Sequence, residues 1–273
     1  MMAPQTPSGE PLVLTERLGQ VALVTLNRPD SLNALSSDLR DEIASTFQAL
    51  TESRDILGVI LTGRGKAFSA GLDLKELARA IEQSQLIDAV SENEMIRAIR
   101  RFDRPLIGAI NGFAITGGLE LALACDFLVA SSSAHFADTH TLLGIMPGWG
   151  LSQLLPRRIG LARAMEMSFT ARFIDAPLAY DWGLVNHVVD HDALLPTCIE
   201  MAQRLTHADR RTLLEQKRVM RDGSSLALDE GLSMEAEANR RIASTLSART
   251  IGARRELIQQ LARQQLSTHK GQP

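Results

Sequence analysis

Two glycine-led turns constrain this chain more than any other feature of its sequence. The first turn, at 67–73, follows the apolar run 58–62, and the second, at 111–120, follows the apolar run 106–110. Each passes from a strand-like run through glycine into an apolar helical pattern. Glycine leaves space beside its N–H, and the first N–H groups of a helix have no partner inside the helix. Two such turns facing one another would aim two N–H donors at one oxygen atom, which is the arrangement of an oxyanion hole.

A carboxylate stands close to the second turn. Glu120 follows Gly117 by three residues, about one helical turn. Taken alone, Glu120 or Asp73 would more often be a first-turn carboxylate that favours the helix dipole, and Gly117 with Gly118 would more often be a tight turn. Both turns, however, follow a strand-like run and lead into an apolar helical pattern. This shared setting favours an enzyme that works on an acyl thioester.

Other glycine and serine motifs fit less well. The spacing of Gly112 and Gly117 is that of a P-loop, but Gly118 and Leu119 follow where phosphate and Mg²⁺ binding need Lys and Ser or Thr. No Gly-x-Gly-x-x-Gly follows a strand, which argues against a dinucleotide fold. Ser69 lies in a segment that is one glycine short of a nucleophile elbow, so a serine hydrolase is not expected.

Composition excludes several classes of partner. The net charge of −3 argues against nucleic-acid binding, and the lack of a long apolar run argues against a membrane span. Two cysteines, Cys125 and Cys198, indicate no disulfide framework and fit a reducing cytosol, so a cytoplasmic protein is expected. His187 and His191 are four residues apart in a stretch that reads as strand and loop, so no metal site is expected.

The 273 residues predict one large domain plus an appendage. Residues 1–11 read as a disordered tail, and strands alternate with helices over 12–200, which indicates an α/β core with mostly parallel strands. Ser36 or Ser37 is expected to cap the first helix, and 184–189 is expected to be a strand. Polar-rich helical patterns fill 201–273 and predict an all-helical region that packs on the core or on a neighbouring subunit.

Several long motifs occur together and in order: NRP at 27–29 with NAL at 33–35, KAFSAGLDL at 66–74, NGFAITGGLEL at 111–121, LGIMPGWG at 143–150 and AYDWGLV at 179–185. This set resembles the crotonase superfamily, the enoyl-CoA hydratase/isomerase family. The resemblance covers nearly the whole chain. It implies an α/β spiral of ββα units with a C-terminal helical trimerisation region, often arranged as a dimer of trimers.

The resemblance also implies a coenzyme A thioester as substrate, with no separate cofactor. The backbone N–H groups of Leu72 and Gly117 would hold the thioester oxygen, and Glu120 falls on the first catalytic glutamate of the hydratases. The positions expected at the bound substrate are Ala70, Gly71, Asp73 and Gly118 beside the two turns, Arg28 and Lys66 at the coenzyme A entrance, and Trp149 along the acyl chain.

One family position departs from the pattern. Where hydratases carry their second catalytic glutamate, this chain has His140. A histidinium there could supply the proton to the α-carbon, with Asp138 orienting it, or His140 could simply line the pocket. Hydration of a 2-enoyl thioester is the leading expectation. The alternatives are an enoyl-CoA isomerase that needs one carboxylate and a non-catalytic acyl-CoA-binding protein.

Overall fold

The computed structural model describes residues 9–83 and 93–269. Most of the predicted N-terminal tail, residues 1–8, lies outside the described residues. The chain separates into two compact units, Met1–Asp209 and Arg210–Pro273. In the described part, no helix combines the length and apolar character that crossing a membrane requires.

The first unit is built on two sheets. The strands are Val13–Leu18 (β1), Val21–Leu26 (β2), Gly58–Gly63 (β3), Ala67–Ser69 (β4), Leu106–Ile110 (β5), Phe113–Ile115 (β6), Phe127–Ser131 (β7), His135–Ala137 (β8), Ile174–Asp175 (β9) and His187–Val189 (β10). The larger sheet has the order β1-β2-β3-β5-β7-β10, and the smaller has the order β4-β6-β8-β9. Only the β1–β2 and β8–β9 pairs are antiparallel among these strands.

Helices connect and cover the sheets. In the first unit they are Ser37–Glu52 (α1), Leu74–Glu82 (α2), Glu94–Arg101 (α3), Gly117–Leu123 (α4), His140–Leu143 (α5), Leu151–Ile159 (α6), Leu161–Thr170 (α7), Ala176–Asp181 (α8) and Leu194–Arg204 (α9). Short 3₁₀ turns occupy Pro29–Ser31, His191–Ala193 and Leu205–His207. Ser36 caps α1, because its side chain accepts a hydrogen bond from Leu39 N.

The same strand–strand–helix unit occurs three times in succession. The units are β3-β4-α2, β5-β6-α4 and β7-β8-α5, with the first strand of each in the larger sheet and the second in the smaller. Both sets of strands pair in parallel, so each unit is displaced one strand from the last. This arrangement confirms the α/β spiral of ββα units and places the two glycine-led turns side by side.

The larger sheet is buried on both faces. On one face, α1 packs through Phe47, whose ring meets Phe102 edge-on at a centroid distance of 5.4 Å. On the other face, Leu194, Cys198 and Ala202 of α9 pack against the strands. The domain boundary predicted near residue 200 therefore falls inside a helix that belongs to the first unit.

The second unit is helical as far as it is described. It contains Arg210–Gly223 (α10), Leu228–Ala243 (α11) and Ala248–His269 (α12). Glu215 of α10 accepts hydrogen bonds from Arg218 and from Arg241 of α11. These two guanidinium groups hold the pKa of Glu215 at about 2.

Candidate active site

Glu120 is a buried carboxylate held by backbone amides. It lies on α4 with 2 % of its surface exposed. Its Oε1 accepts hydrogen bonds from Trp149 N at 2.8 Å and Leu151 N at 3.2 Å, at the start of α6. Burial raises the pKa of Glu120 above its ordinary value of 4.5, and the Leu151 amide, the His140 side chain and the Trp149 amide oppose part of that shift.

The second oxygen of Glu120 faces His140. The Oε2–Nε2 distance is 3.6 Å, and both side chains are almost fully buried. On its other ring nitrogen, His140 Nδ1 lies 2.6 Å from Asp138 Oδ1, which also accepts His140 N at 3.1 Å. Burial acts to raise the pKa of Asp138, but hydrogen bonds from the His140 and Ser168 side chains outweigh it and hold that pKa below its ordinary value.

The two glycine-led turns are in contact. Gly71 has a φ of +91°, and a Cβ atom placed on it would lie 3.0 Å from Gly117 N. A Cβ atom on Gly117 would lie 3.5 Å from Leu72 N and 2.9 Å from Trp149 Cζ3. Neither Leu72 N nor Gly117 N donates a hydrogen bond within the part of the chain that the structure describes. Two neighbouring backbone donors are therefore available next to Glu120.

The turn geometry depends on residues that flank these donors. Ala70 N donates to Leu32 O at 3.0 Å, which ties the first turn to the N-terminal loop. Gly118 packs on the first turn so closely that a Cβ atom there would lie 2.0 Å from Ser69 O. Thr116 holds a φ of +54°, a left-handed conformation that a β-branched residue rarely adopts. Backbone strain of this kind concentrates at functional sites.

Arg28 and Asp73 have partners within the protein. Arg28 donates to Ala34 O at 2.6 Å and to Asp73 Oδ2 at 3.2 Å. Asp73 also caps α2 by accepting hydrogen bonds from Lys75 N and Glu76 N. Lys66 is exposed on the loop before β4. The structure thus gives Asp73 a capping role and pairs Arg28 with it, while Lys66 stays on the surface.

Trp149 supports the site through both its side chain and its backbone. The side chain is buried against Gly117 and the amide holds Glu120, while its contact with an acyl chain stays a prediction. Arg100 fixes this segment by donating to Trp149 O at 3.0 Å. Sequence reasoning missed the Trp149 and Leu151 amides. The only available signal was the Pro-Gly-x-Gly turn at 147–150 before a helix, which marks backbone donors but not their target.

Two cavities adjoin the site. One of about 550 Å³ is lined by Leu72 and Asp73 and by the charged side chains of Arg40, Glu76 and Arg79. Another of about 240 Å³ is lined mainly by apolar residues of 145–169 and reaches Asp138 and His140. Among the described residues no group of three His, Cys, Asp or Glu side chains could hold a metal ion.

This arrangement can polarise a carbonyl and move a proton. The two amide donors would stabilise negative charge on an oxygen, and the buried carboxylate can act as a base beside them.

The family model for enoyl-CoA hydratase/isomerase matches residues 16–257. The chain is 40 % identical over 233 residues to "Probable enoyl-CoA hydratase 1, peroxisomal" of Arabidopsis thaliana, covering 85 % of this chain and 87 % of the relative.

Solved structures give the same result. An enoyl-CoA hydratase from Bacillus anthracis is 35 % identical with a TM-score of 0.81, covering 86 % of this chain and 92 % of that one. A monofunctional enoyl-CoA isomerase from M. smegmatis is 38 % identical with a TM-score of 0.70, covering 81 % of this chain and 98 % of that one. With the matching fold, relatives this similar over most of their length make the chain a member of the enoyl-CoA hydratase/isomerase family, within the crotonase superfamily.

Proposed function

We propose that the protein adds water across the 2,3 double bond of a 2-enoyl-CoA thioester to give a 3-hydroxyacyl-CoA. The observation that carries this proposal is Glu120, a buried carboxylate next to two backbone amides that donate no hydrogen bond within the described residues. The hydratase relatives at 40 % and 35 % identity support it.

The Leu72 and Gly117 amides would bind the thioester oxygen. As water attacks the β-carbon, negative charge moves onto that oxygen as an enolate. A donor positioned for such charge contributes about 3 kcal/mol to transition-state stabilisation in comparable sites. The two turns of the spiral are packed together, so these donors need little reorganisation during the reaction.

Glu120 would take the proton of the attacking water. Its Oε1 is occupied by two amides, which leaves Oε2 to act on water. Burial raises the pKa of this carboxyl and thereby makes it a stronger base than a solvated glutamate. A positioned acid–base group typically contributes a factor of ~10²–10⁴ in rate. His140, 3.6 Å from Oε2, would give the α-carbon its proton.

Isomerisation is the second candidate. A single carboxylate can move a proton between the α- and γ-carbons without water, and the position of the second hydratase glutamate is occupied by His140. The M. smegmatis isomerase at 38 % identity favours this alternative specifically. A third outcome, binding of acyl-CoA without turnover, remains for the experiment to decide.

The coenzyme A portion would enter through the cavity beside Leu72 and Asp73. Arg40 and Arg79 on its wall would supply positive charge for the phosphates. Lys66, exposed on the loop before β4, is proposed as a further phosphate contact. Arg28 would contribute indirectly, because it is paired with Asp73. We further propose a homotrimer or a dimer of trimers that works in the cytoplasm with no cofactor besides the substrate.

Product analysis tests the proposal. Pure protein is incubated with crotonyl-CoA and, separately, with a 3-enoyl-CoA, and products are identified by chromatography and mass. We expect loss of the conjugated absorbance and a product heavier by one water from crotonyl-CoA. Conversion of the 3-enoyl-CoA into its conjugated isomer alone would establish the isomerase. Binding of both thioesters with no product would overturn both catalytic proposals.

A further inference from the structure

Three buried titratable side chains lie in a row at the site. Asp138 Oδ1 is 2.6 Å from His140 Nδ1, and His140 Nε2 is 3.6 Å from Glu120 Oε2. Their side chains are between 2 % and 4 % exposed. Buried charges are costly unless they are paired, so the position of one proton on the imidazole affects all three groups.

The row is asymmetric. The imidazole makes a short hydrogen bond with Asp138, whereas its separation from Glu120 exceeds hydrogen-bond distance. Glu120 is restrained from the other direction by the amides of Trp149 and Leu151. An imidazolium paired with Asp138 forms a neutral unit, and Glu120 then remains the one net negative charge of the row.

Resting on the proposed function, we propose that Asp138 is a positioning residue that holds His140 as an imidazolium and away from Glu120. The Asp138–His140 pair then acts as a neutral acid, and Glu120 stays available as the base. Without Asp138 the ring would lose the carboxylate that pairs with its Nδ1 and would be a neutral imidazole, which is a weaker acid than an imidazolium.

The protons balance in this scheme. Water loses one proton to Glu120 as its oxygen bonds to the β-carbon, and the double-bond electrons move to the thioester oxygen. The enolate then takes the Nε2 proton of His140 at the α-carbon, which restores the carbonyl. Protonated Glu120 and neutral His140 remain. After the product leaves, the next water to enter relays the proton from Oε2 to Nε2, which lie 3.6 Å apart, and the site is reset for the next cycle.

Few other groups face the imidazole. The titratable side chains next to it in the described structure are Asp138, on the segment before α5, and Glu120, on α4. The 240 Å³ cavity that His140 lines is otherwise bordered by apolar, proline, serine and threonine residues from α5 to α7. Ser168 of α7 donates to Asp138 and helps to hold its carboxylate.

A double-mutant cycle tests this role. Asp138→Asn keeps the size of the side chain and removes its charge. We expect kcat to fall by about a hundredfold with KM little changed, and the alkaline limb of the kcat profile to move to lower pH, because the imidazolium loses its neighbouring charge. In a His140→Gln background the same change should alter kcat by less than about twofold, because Asp138 acts through His140.

A spectroscopic measurement separates this inference from the proposed function. ¹⁵N NMR of the histidine rings, with His140 assigned by its absence in His140→Gln, reports the charge of the ring whether or not the protein turns over a thioester. We expect an imidazolium in the wild type at neutral pH and a neutral ring in Asp138→Asn. If the wild-type ring is neutral, the inference is wrong. It is also wrong if the effects of Asp138→Asn and His140→Gln on kcat are independent, so that the double variant shows the product of the two single effects.

Two further variants test whether the effect of Asp138→Asn is specific or comes from a general disturbance of folding. Ser168→Ala removes one hydrogen bond to Asp138 and should shift the alkaline limb in the same direction by a smaller amount. Asp175→Asn replaces a carboxylate that caps α8 and should leave the pH profile unchanged. Shifts of equal size in these two variants would contradict the specific role of Asp138.

Discussion

Glu120 shows that burying a carboxylate where it can act as a base lowers the free energy of unfolding. Burial raises the pKa of Glu120, so the folded protein binds that proton more tightly than the unfolded chain does. Stability from this group is therefore lost as pH rises through and above its ordinary value of 4.5. Functional residues commonly carry costs of this kind.

Replacing Glu120 with glutamine should therefore stabilise the protein. The amide oxygen can keep the hydrogen bonds from Trp149 N and Leu151 N without a buried charge. We expect Glu120→Gln to have a higher melting temperature than the wild type at pH 7, and the difference to shrink as the pH falls towards 4.5. Thermal unfolding across this range checks the sign. A variant that is less stable than the wild type at pH 7 would show that the carboxylate is held at no cost.

A second residue-scale prediction concerns Gly118. A methyl group there would meet the backbone oxygen of Ser69 at 2.0 Å, so the two turns would have to separate. We expect Gly118→Ala to lose about 1–3 kcal/mol of unfolding free energy. Gly252→Ala is the matched control, because this helical glycine has open space and should gain about 0.5–1 kcal/mol. Equal melting temperatures for the two variants would contradict the close packing.

Site residues that lie within local motifs were easier to predict than groups that reach the site from distant parts of the chain. Leu72, Gly117 and Glu120 lie within motifs of fixed spacing, and the structure brings them together. The contact between Asp138 and His140 was also expected, since a single residue separates them in sequence. The amides that hold Glu120 come from residues about thirty positions later, and nothing in the local sequence indicates which carboxylate they bind.

At the scale of elements, long patterned segments were predicted well and short ones were not. α1 and β3 are long enough for their apolar patterns to be recognised in the sequence. β4, β6 and β8 have three residues each, too few for a period of two, so the smaller sheet was missed. The predicted strand at 184–189 is a strand only over His187–Val189, because Leu184 and Val185 are buried in the loop that follows α8.

The start of α2 carries a prediction that separates capping from ion pairing. Asp73→Asn keeps an N-cap oxygen and removes the charge paired with Arg28, whereas Asp73→Ala removes both. We expect the asparagine variant to lose less than about 1 kcal/mol of stability and the alanine variant to lose about 1 kcal/mol more. Chemical unfolding of both proteins measures the difference. If they unfold alike, the cap contributes nothing and the ion pair alone holds this turn.

At the scale of the whole molecule, the chain divides into two units, Met1–Asp209 and Arg210–Pro273. The sequence predicts a boundary at 200, whereas the first unit of the structure ends at 209. The difference arises because the apolar stripe of α9 covers the second face of the larger sheet. A stripe of Leu194, Cys198 and Ala202 is the same whether a helix packs on its own sheet or on a neighbouring molecule. Periodicity identifies the buried face of a helix but not its partner.

The proposed assembly has a direct test. Light scattering on the purified full chain should give three or six times the mass of one chain, as expected of a trimer or a dimer of trimers. The measurement should be repeated over a tenfold range of protein concentration, because a stable assembly keeps its mass on dilution. A mass of one or two chains at every concentration would contradict the proposed assembly.

The central claim is that Glu120 is the base that acts beside the Leu72 and Gly117 amides. Its most direct test is the rate of crotonyl-CoA hydration by Glu120→Gln, measured with acyl-CoA binding to the same protein. We predict that kcat falls by at least about a hundredfold while acyl-CoA binds as tightly as it does to the wild type. Turnover at the wild-type rate in the folded variant would contradict the claim.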